Sequence, residues 1–404
     1  MRVLMLSQFY PPVTGGQERH VRDLAQALAT RGHEVEVATI ATGGDDGTTL
    51  DGEVAVHRLR TTAQRMPRLY TESGRPHALP IADPELRAGI GRLLTGRRFD
   101  VAHAHDWIVN SLLGPARRTH TPVLLTQHDY SHVCATKRMM RGDFVCPGPA
   151  PVACVRCASA QYGPVVGPGV VLANVAGRRA RRAKVATFIP VSATVAARTS
   201  LVGGSDHYEV IPNFVPDAIL VDPASLDDGQ CGGPILFVGD VTRDKGVDVL
   251  FDAYRRLSNS SRLVLVGRLL PDAPVERPSG VEVLGLTPPG EVLTHMRRAG
   301  MVVVPSIVLD ACPTVVLEAM AAGRPVVASS SGGITDLVED GETGILVPPG
   351  DAVALARAME SLIDDPAMAR TMGRKGLERV RLFTASAVAA RVEGLYRQVA
   401  PTSG

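Results

Sequence analysis

The chain has 404 residues, of which 45% are hydrophobic and 21% charged, and its formal net charge is +2. This length exceeds what one hydrophobic core usually supports, so we expect two domains of roughly 200 residues each. The small net charge argues against a general nucleic-acid-binding protein. Neither a signal-peptide core nor an unbroken apolar run of about 20 residues is visible, so we expect a cytoplasmic protein with cysteines that are free or metal-bound.

Short apolar runs alternate with helical patterns along most of the chain. In the first half, the runs that predict strands are 2–7, 34–40, 54–59, 101–105, 122–128 and 185–192. In the second half they are 234–240, 262–268, 281–286, 301–306, 325–330 and 344–349. Several runs are apolar on both faces, as in a covered parallel sheet. Two successive series of βα units predict two doubly wound α/β domains.

Two features of the first half point to ligand binding. Thr14-Gly15-Gly16 follows the first strand and precedes a helix, where glycines let the backbone approach a phosphate. A tight strand-to-helix turn explains the glycine pair equally well. His128 ends a strand, where side chains of open α/β sheets face the ligand crevice, although such a histidine is often structural. No carboxylate at a strand end of this domain stands out as a nucleophile or base.

A long insertion, 129–170, carries most of the cysteines. Cys134, Cys146, Cys154 and Cys157 have the spacing C-x11-C-x7-C-x2-C. The C-x2-C half is typical of zinc knuckles, and four thiolates would close a tetrahedral structural site. The alternative is that these cysteines are simply small buried apolar residues. A structural zinc is thus one of two interpretations.

A basic run follows this insertion. It consists of Arg178, Arg179, Arg181, Arg182 and Lys184. Several charges on one helix indicate an anionic membrane surface or a phosphate-bearing acceptor. A solvated helix face in an arginine-rich protein explains the run equally well.

In the second half, the segment 239–246 reads GDVTRDKG. It places Gly239 and Lys245 at a strand-to-helix junction, where a Lys-Gly pair recurs in phosphate sites. Asp240 would repel a phosphate, so further positive charge must come from elsewhere. The candidates are Arg243 and Arg268, and for either arginine a solvated surface position is an equally good interpretation.

Further along, two acids eight residues apart flank a proline. Pro313 suits the first turn of a helix, so Asp310 is expected just before that helix and Glu318 on it. The N–H groups of Thr314 and Val315 would then face an anion such as a pyrophosphate, beside carboxylates that accept hydrogen bonds from sugar hydroxyls. The alternatives are a helix cap for Asp310 and a surface charge for Glu318. However, the apolar neighbours of Glu318 leave it no solvated face.

Four segments in order resemble the retaining GT-B glycosyltransferases of family 4. They are the glycine loop with the first helix at 9–39, the phosphate-binding strand and loop at 237–250, the E-x7-E region at 305–329 and the closing segment at 332–351. Three features depart from the family pattern: Asp310 replaces its first glutamate, Asp240 its arginine and Cys312-Pro313 its usual Phe-Gly. The resemblance implies two Rossmann-like, doubly wound parallel-sheet domains facing across a cleft. Their expected bounds are 1–214 for acceptor binding and 215–384 for the nucleotide sugar, with a helix at 385–404 crossing back.

The resemblance also implies the activity: transfer of a sugar, with retention, from a nucleoside-diphosphate donor to a small-molecule or lipid-linked acceptor, with no cofactor for the chemistry. Catalysis would involve Asp310, His128, Lys245 and Arg243. Donor contacts would come from Gly15, Gly16, Gly239, Arg268, Thr314, Val315 and Glu318. A GT-B sugar-nucleotide epimerase and a noncatalytic nucleotide-sugar-binding relative stay open as alternatives, as does peripheral contact with the inner membrane face.

Overall fold

The computed structural model describes residues 1–13, 15–42, 44–65, 77–142, 144–223, 232–258 and 261–401. Thr14 of the glycine loop therefore lies outside the described residues. The chain divides into two compact units. The first comprises residues 1–141, 146–212 and 388–404, and the second comprises residues 142–145 and 213–387. No helix of the described residues is long and apolar enough to cross a membrane.

The first unit is built on a seven-stranded sheet, counted over its described residues. Its strands are β1 (Arg2–Ser7), β2 (Glu34–Ile40), β3 (Gly47–Asp51), β4 (Val54–Leu59), β5 (Val101–His105), β6 (Val123–Gln127) and β9 (Thr187–Pro190). Their order is β3-β4-β2-β1-β5-β6-β9, and all neighbours are parallel except β3 and β4. Two short strands, β7 (Met140–Arg141) and β8 (Phe144–Val145), lie between β6 and the next helix.

Helices cover the faces of this sheet. They are α1 (Gly16–Thr30), α2 (Pro84–Gly96), α3 (Val109–Arg118), α4 (Pro151–Tyr162), α5 (Val166–Lys184) and α6 (Ala193–Arg198). Leu4 and Leu6 of β1 pack with Leu112 of α3 in one buried apolar cluster. Because the strands are covered by helices, their side chains are apolar on both faces, as the sequence predicts.

The second unit contains a six-stranded parallel sheet, again counted over described residues. Its strands are β10 (Ile235–Val238), β11 (Leu263–Val266), β12 (Val281–Gly285), β13 (Met301–Val304), β14 (Val326–Ser329) and β15 (Gly344–Val347), in the order β12-β11-β10-β13-β14-β15. Its helices are α7 (Val247–Tyr254), α8 (Pro289–Arg298), α9 (Thr314–Ala321), α10 (Ile334–Leu337), α11 (Ala352–Asp364) and α12 (Pro366–Arg379). The last helix, α13 (Ala385–Val399), belongs to the first unit from Val388 onward.

Each of the twelve apolar runs predicted as strands contains a strand, so the doubly wound α/β prediction is confirmed. β3, which pairs antiparallel with β4 at the edge of the first sheet, is not among the predicted strands. Its Gly-Thr-Thr start is weakly apolar, and Leu50 is exposed. The signal that could have revealed it is the Asp51-Gly52 pair, a typical turn between hairpin strands.

Candidate active site

In the second unit, the order of the strands places two loops side by side. β10 and β13 are neighbours although α7, β11, β12 and α8 separate them in the chain. At this point the strand order reverses direction, and ligands of open α/β sheets bind beyond the carboxyl ends of strands at such a point. The loop after β10 carries Gly239 and Lys245, and the loop after β13 carries Asp310. The topology therefore brings together two residues that are 65 positions apart.

Lys245 and Asp310 form an ion pair, with Lys245 Nζ 2.6 Å from Asp310 Oδ1. The Lys245 side chain is 35% exposed and that of Asp310 is 14% exposed. The second carboxylate oxygen of Asp310, Oδ2, is buried and has no hydrogen-bond partner among the described residues. A buried acceptor without a partner is costly, which is a common sign of a ligand site. This carboxylate can thus hold the lysine with one oxygen and accept a ligand hydroxyl with the other.

Two glycines fix the positions of these loops. Gly246 has a φ of +71°, and a Cβ there would overlap the carbonyl oxygen of Pro305 at the end of β13. Gly332 has a φ of +59°, and a Cβ there would overlap the carbonyl oxygen of Asp310. The Gly333 N–H donates to that same carbonyl at 2.7 Å. The close backbone approaches explain why glycine is required at both positions.

The helix expected after Asp310 is present. α9 begins at Thr314, directly after Pro313, and no side chain caps its N-terminus. The first-turn N–H groups of Thr314 and Val315 therefore meet no capping side chain, which suits an anion site. Glu318 lies in the second turn and is half-buried. Asp310 precedes the helix and Glu318 lies on it, as expected, but Pro313 is the residue before the first helical turn rather than part of it; the roles of these residues stay predictions.

Of the two candidate arginines, Arg268 forms an ion pair with Asp240, the residue at the position of the family's arginine. Its Nε and Nη2 both donate to the Asp240 carboxylate at 2.9 Å. The two loops approach closely because Gly267 has no side chain: a Cβ at Gly267 would overlap the carbonyl oxygen of Gly239. The side chain of Arg243 is instead 74% exposed, and its Nε lies 3.6 Å from Oδ2 of Asp248. Asp240 therefore holds the Arg268 guanidinium beside Gly239, while Arg243 points to a different acid.

This pairing predicts that Arg268 replaces the family's arginine in binding phosphate. Arg268→Ala should weaken nucleoside-diphosphate affinity by about 1.5 kcal/mol, roughly tenfold, because a charged hydrogen bond is lost. Adding Asp240→Arg should restore affinity by returning a cation next to Gly239. Isothermal titration measures both effects, and Arg262→Ala, which removes another exposed arginine of this unit paired with an acid, is the control. Unchanged affinity in Arg268→Ala would contradict the prediction.

Cys312 and Asn213 tie the Asp310 loop to the segment that enters the second unit. The Asn213 N–H donates to Cys312 Sγ at 3.3 Å, and Asn213 Nδ2 donates to the Cys312 carbonyl at 2.7 Å. Burial raises the pKa of the Cys312 thiol to about 12. The thiol therefore stays neutral and acts in packing.

In the first unit, the glycine pair opens α1. Gly15 precedes the helix, and a Cβ there would overlap the carboxylate of the buried Glu18. A Cβ at Gly16 would meet no described atom within 4 Å. The backbone of Gly16 is thus open to an incoming group, whereas Glu18 occupies the space beside Gly15.

Four histidines meet at the carboxyl ends of β5 and β6. His105 Nδ1 lies 2.9 Å from His128 Nε2, and the two rings stack with centroids 5.1 Å apart. The His20 ring of α1 packs edge-on against His128 at 4.7 Å. His103 hydrogen-bonds to Tyr396 and Thr126, each at 2.7 Å. Burial holds the pKa of His20 and His105 well below the usual value, so both are neutral near pH 7.

One buried carboxyl group, that of Asp106, lies at a strand end of the first unit beside His128. Asp106 directly follows β5 and has a φ of +56°. Its Oδ1 accepts a hydrogen bond from the backbone N–H of His128 at 3.0 Å. Burial, and then the neighbouring Asp129, raise the pKa of Asp106 well above its usual value. A buried carboxyl of this kind suits positioning of His128 rather than nucleophilic attack. The position of Asp106 at a strand end, directly after His105, is the feature of the sequence that indicates this contact.

One member of the basic run, Arg181, points inward, whereas Arg179, Arg182 and Lys184 are exposed. Arg181 is 1% exposed and donates to Asn110 at 3.0 Å, Asn174 at 3.0 Å and the His132 carbonyl at 3.1 Å. Burial lowers the pKa of Arg181 to about 10. Arg181 therefore attaches α5 to α3 and to the loop after β6.

The four cysteines of the insertion lie near one another in the first unit. All are partly buried, and none forms a disulfide. Cys154 and Cys157 are one turn apart on α4, and the Ala150 N–H donates to Cys154 Sγ at 3.3 Å. Burial raises the pKa of Cys154, and the proximity of Cys134, Cys146 and Cys157 raises it further. Within the described ranges, the group of potential metal ligands found is a different one, formed by His20, His105 and His128.

Comparisons with known proteins agree with this architecture. The family described as Glycosyltransferase Family 4 matches residues 14–218, and that described as Glycosyl transferases group 1 matches residues 233–365. The chain is 30% identical to a glycogen synthase of Mycobacterium tuberculosis, over 94% of this chain and 90% of that protein.

Two solved structures share the fold. The sucrose-phosphate synthase of Thermosynechococcus elongatus has a TM-score of 0.74 and 24% identity, covering 98% of each chain. Anabaena HepE, solved in complex with UDP, has a TM-score of 0.70 and 18% identity, covering 98% of this chain and 100% of that one. The chain therefore belongs to glycosyltransferase family 4 and is a glycosyltransferase with the GT-B fold.

Proposed function

We propose that this glycosyltransferase moves a sugar from a nucleoside-diphosphate donor to an acceptor with retention of anomeric configuration. The observation that carries the proposal is the arrangement of Lys245, Asp310 and Glu318 around the N-terminus of α9. The Lys245 ammonium group and the N–H groups of α9 can bind a diphosphate. Asp310 Oδ2, which has no hydrogen-bond partner among the described residues, can accept a hydroxyl. The similarity to a glycogen synthase and to a protein bound to UDP supports a nucleotide-sugar donor.

In this proposal, catalysis is mainly electrostatic. Lys245 has three N–H donors, so it can keep its contact with Asp310 and still reach a phosphate oxygen. Together with Arg268 and the α9 N-terminus, it would stabilise the charge that develops on the departing diphosphate. Asp310 Oδ2 would accept a hydroxyl of the transferred sugar, and Glu318 would bind ribose hydroxyls. From the first unit, we propose His128 as a catalytic residue and the Gly15–Gly16 backbone as a donor contact.

Product stereochemistry tests the function. A thermal-shift panel of UDP, GDP, ADP and dTDP first identifies the nucleotide. Turnover of the α-anomeric donor with acceptor libraries should then give an α-linked product, readable from the anomeric proton coupling in NMR. A β-linked product would refute retention. Donor conversion without an acceptor would instead identify an epimerase, and nucleotide binding without turnover would identify a noncatalytic relative.

We further propose that Cys134, Cys146, Cys154 and Cys157 bind one structural zinc ion. Cys154 and Cys157 lie one turn apart on α4, Cys134 and Cys146 lie nearby, and four thiolates would complete a tetrahedral zinc site. Protein purified without added metal should contain about one zinc per chain, and Cys157→Ser should lose it. Cys312→Ser, which alters a cysteine outside the cluster, should keep its zinc. Less than about 0.2 equivalents in the unaltered protein would contradict the site.

Peripheral membrane contact is a proposal that rests on α5. Leu172 is 72% exposed, and Val175 and Arg179 are exposed on the same helix, together with Lys184 near its end. Exposed apolar and basic side chains on one helix suit an anionic bilayer surface. The protein should therefore sediment with vesicles of anionic lipid and not with neutral ones. The double variant Leu172→Ser/Arg179→Ser should reduce sedimentation, and equal binding to both vesicle types would contradict the proposal.

A further inference from the structure

Three histidines of the first unit form a group, and the glycosyl-transfer proposal assigns a role to His128 but none to His20 or His105. His20, His105 and His128 each place one ring nitrogen so that the three atoms lie within 4.8 Å of one another. They come from α1 and from the ends of β5 and β6. Because β1 and β6 both flank β5 in the sheet, the helix after β1 and the ends of β5 and β6 converge there.

The spacing suits a small cation. Three nitrogens at about 2.05 Å from a tetrahedral zinc ion are separated by about 3.4 Å from one another. The distance between His105 Nδ1 and His128 Nε2 is 2.9 Å, slightly shorter than this spacing. All three nitrogens lie within 4.8 Å of one another, a limit that is longer than this spacing. The 2.9 Å separation and the 4.8 Å limit therefore lie on both sides of the spacing that three ligands of one zinc ion require.

The burial of the group favours a metal as well, because a buried imidazole can offer its lone pair to an ion. His20 and His105 are buried, whereas His128 is half-buried, so solvent reaches the group beside His128.

We propose that His20, His105 and His128 form a binding site for a first-row divalent transition metal of the Zn²⁺ type, with the fourth coordination position open on the His128 side. Imidazole ligands select such ions, whereas Mg²⁺ and Ca²⁺ require oxygen ligands. Three neutral ligands leave the charge of the ion uncompensated, so the fourth position favours hydroxide or another anionic oxygen ligand. The site is distinct from the four-cysteine cluster and does not depend on the proposed donor or reaction.

Cobalt titration of the full-length protein tests the site in the absence of nucleotide sugar. The Cys154→Ser/Cys157→Ser background removes the cysteine cluster, and circular dichroism checks that it is folded. We expect about one equivalent of Co²⁺ with a visible d–d spectrum and without a thiolate charge-transfer band, and no competition by Mg²⁺. In the same background, His105→Gln and His20→Gln should each weaken Co²⁺ binding more than about tenfold, because each removes one ligand.

His207→Gln is the matched control, because His207 is an exposed histidine of the same unit that lies outside the group. It should bind Co²⁺ like its parent. Two ligand variants on different elements, each checked by thermal melting, separate ligand loss from misfolding. The proposal is overturned if the folded background protein takes up no Co²⁺, if both ligand variants bind it normally, or if His207→Gln loses it equally. Because binding is measured without donor, failure of the glycosyl-transfer proposal leaves this result unaffected.

Discussion

Replacing Lys245 with alanine should weaken nucleoside-diphosphate binding by roughly 1.5 to 3 kcal/mol, about 10- to 150-fold in Kd. Lys245 is the cation that the loop after β10 places at the switch point of the second sheet, 2.6 Å from Asp310. Its loss removes a charged hydrogen bond to the diphosphate and leaves the Asp310 carboxylate unneutralised, which further repels the ligand. Isothermal titration with the nucleotide identified in the thermal-shift panel measures the effect.

The matched control is Lys375→Ala. Lys375 is a lysine of the same unit that also pairs with an acid, Glu342, but on an exposed surface. Surface ion pairs contribute little, so this variant should bind nucleotide normally. Equal affinities of Lys245→Ala and the unaltered protein would refute a phosphate-binding role for Lys245. A parallel loss in both variants would indicate a general effect of net charge.

Asp310→Ala and Glu318→Ala should separate turnover from nucleotide binding. Asp310→Ala should lower kcat at least about 100-fold, the scale for removing one preorganised polar group from an active site. It should leave nucleoside-diphosphate affinity nearly unchanged, because Asp310 is proposed to contact the sugar and its removal frees Lys245 for the phosphate. Glu318→Ala should instead weaken the free nucleotide by roughly 1.5 to 3 kcal/mol through the ribose.

Both variants are compared with Glu342→Ala, which removes an exposed acid of the same unit. Asp310→Asn is a second check, since it keeps the shape of the side chain and removes its charge. If Asp310→Ala and Glu318→Ala change free nucleotide affinity equally, the assignment of sugar and ribose roles is wrong. If Asp310→Ala turns over normally, the partnerless Oδ2 has no role in the reaction.

Local signals were sufficient for much of this protein. The twelve strands follow from apolar runs, because a strand covered on both faces needs apolar side chains at successive positions. The start of α9 follows from Pro313, whose fixed φ and missing N–H are compatible with the position directly before the first helical residue, Thr314. The sequence alone therefore determined the α/β class, the order of the elements and the placement of Asp310 and Glu318 around one helix end.

The pairing of distant residues was decided by the tertiary structure. The sequence left Arg243 and Arg268 as equal candidates, and only the adjacency of β10 and β11 shows that Asp240 holds Arg268. Arg181 looked like a surface charge, yet polar acceptors on other elements allow it to be buried. The meeting of His20 with the strand-end histidines also depends on strand order. These contacts join residues far apart in the chain, and strand order, which no local pattern encodes, sets their distances.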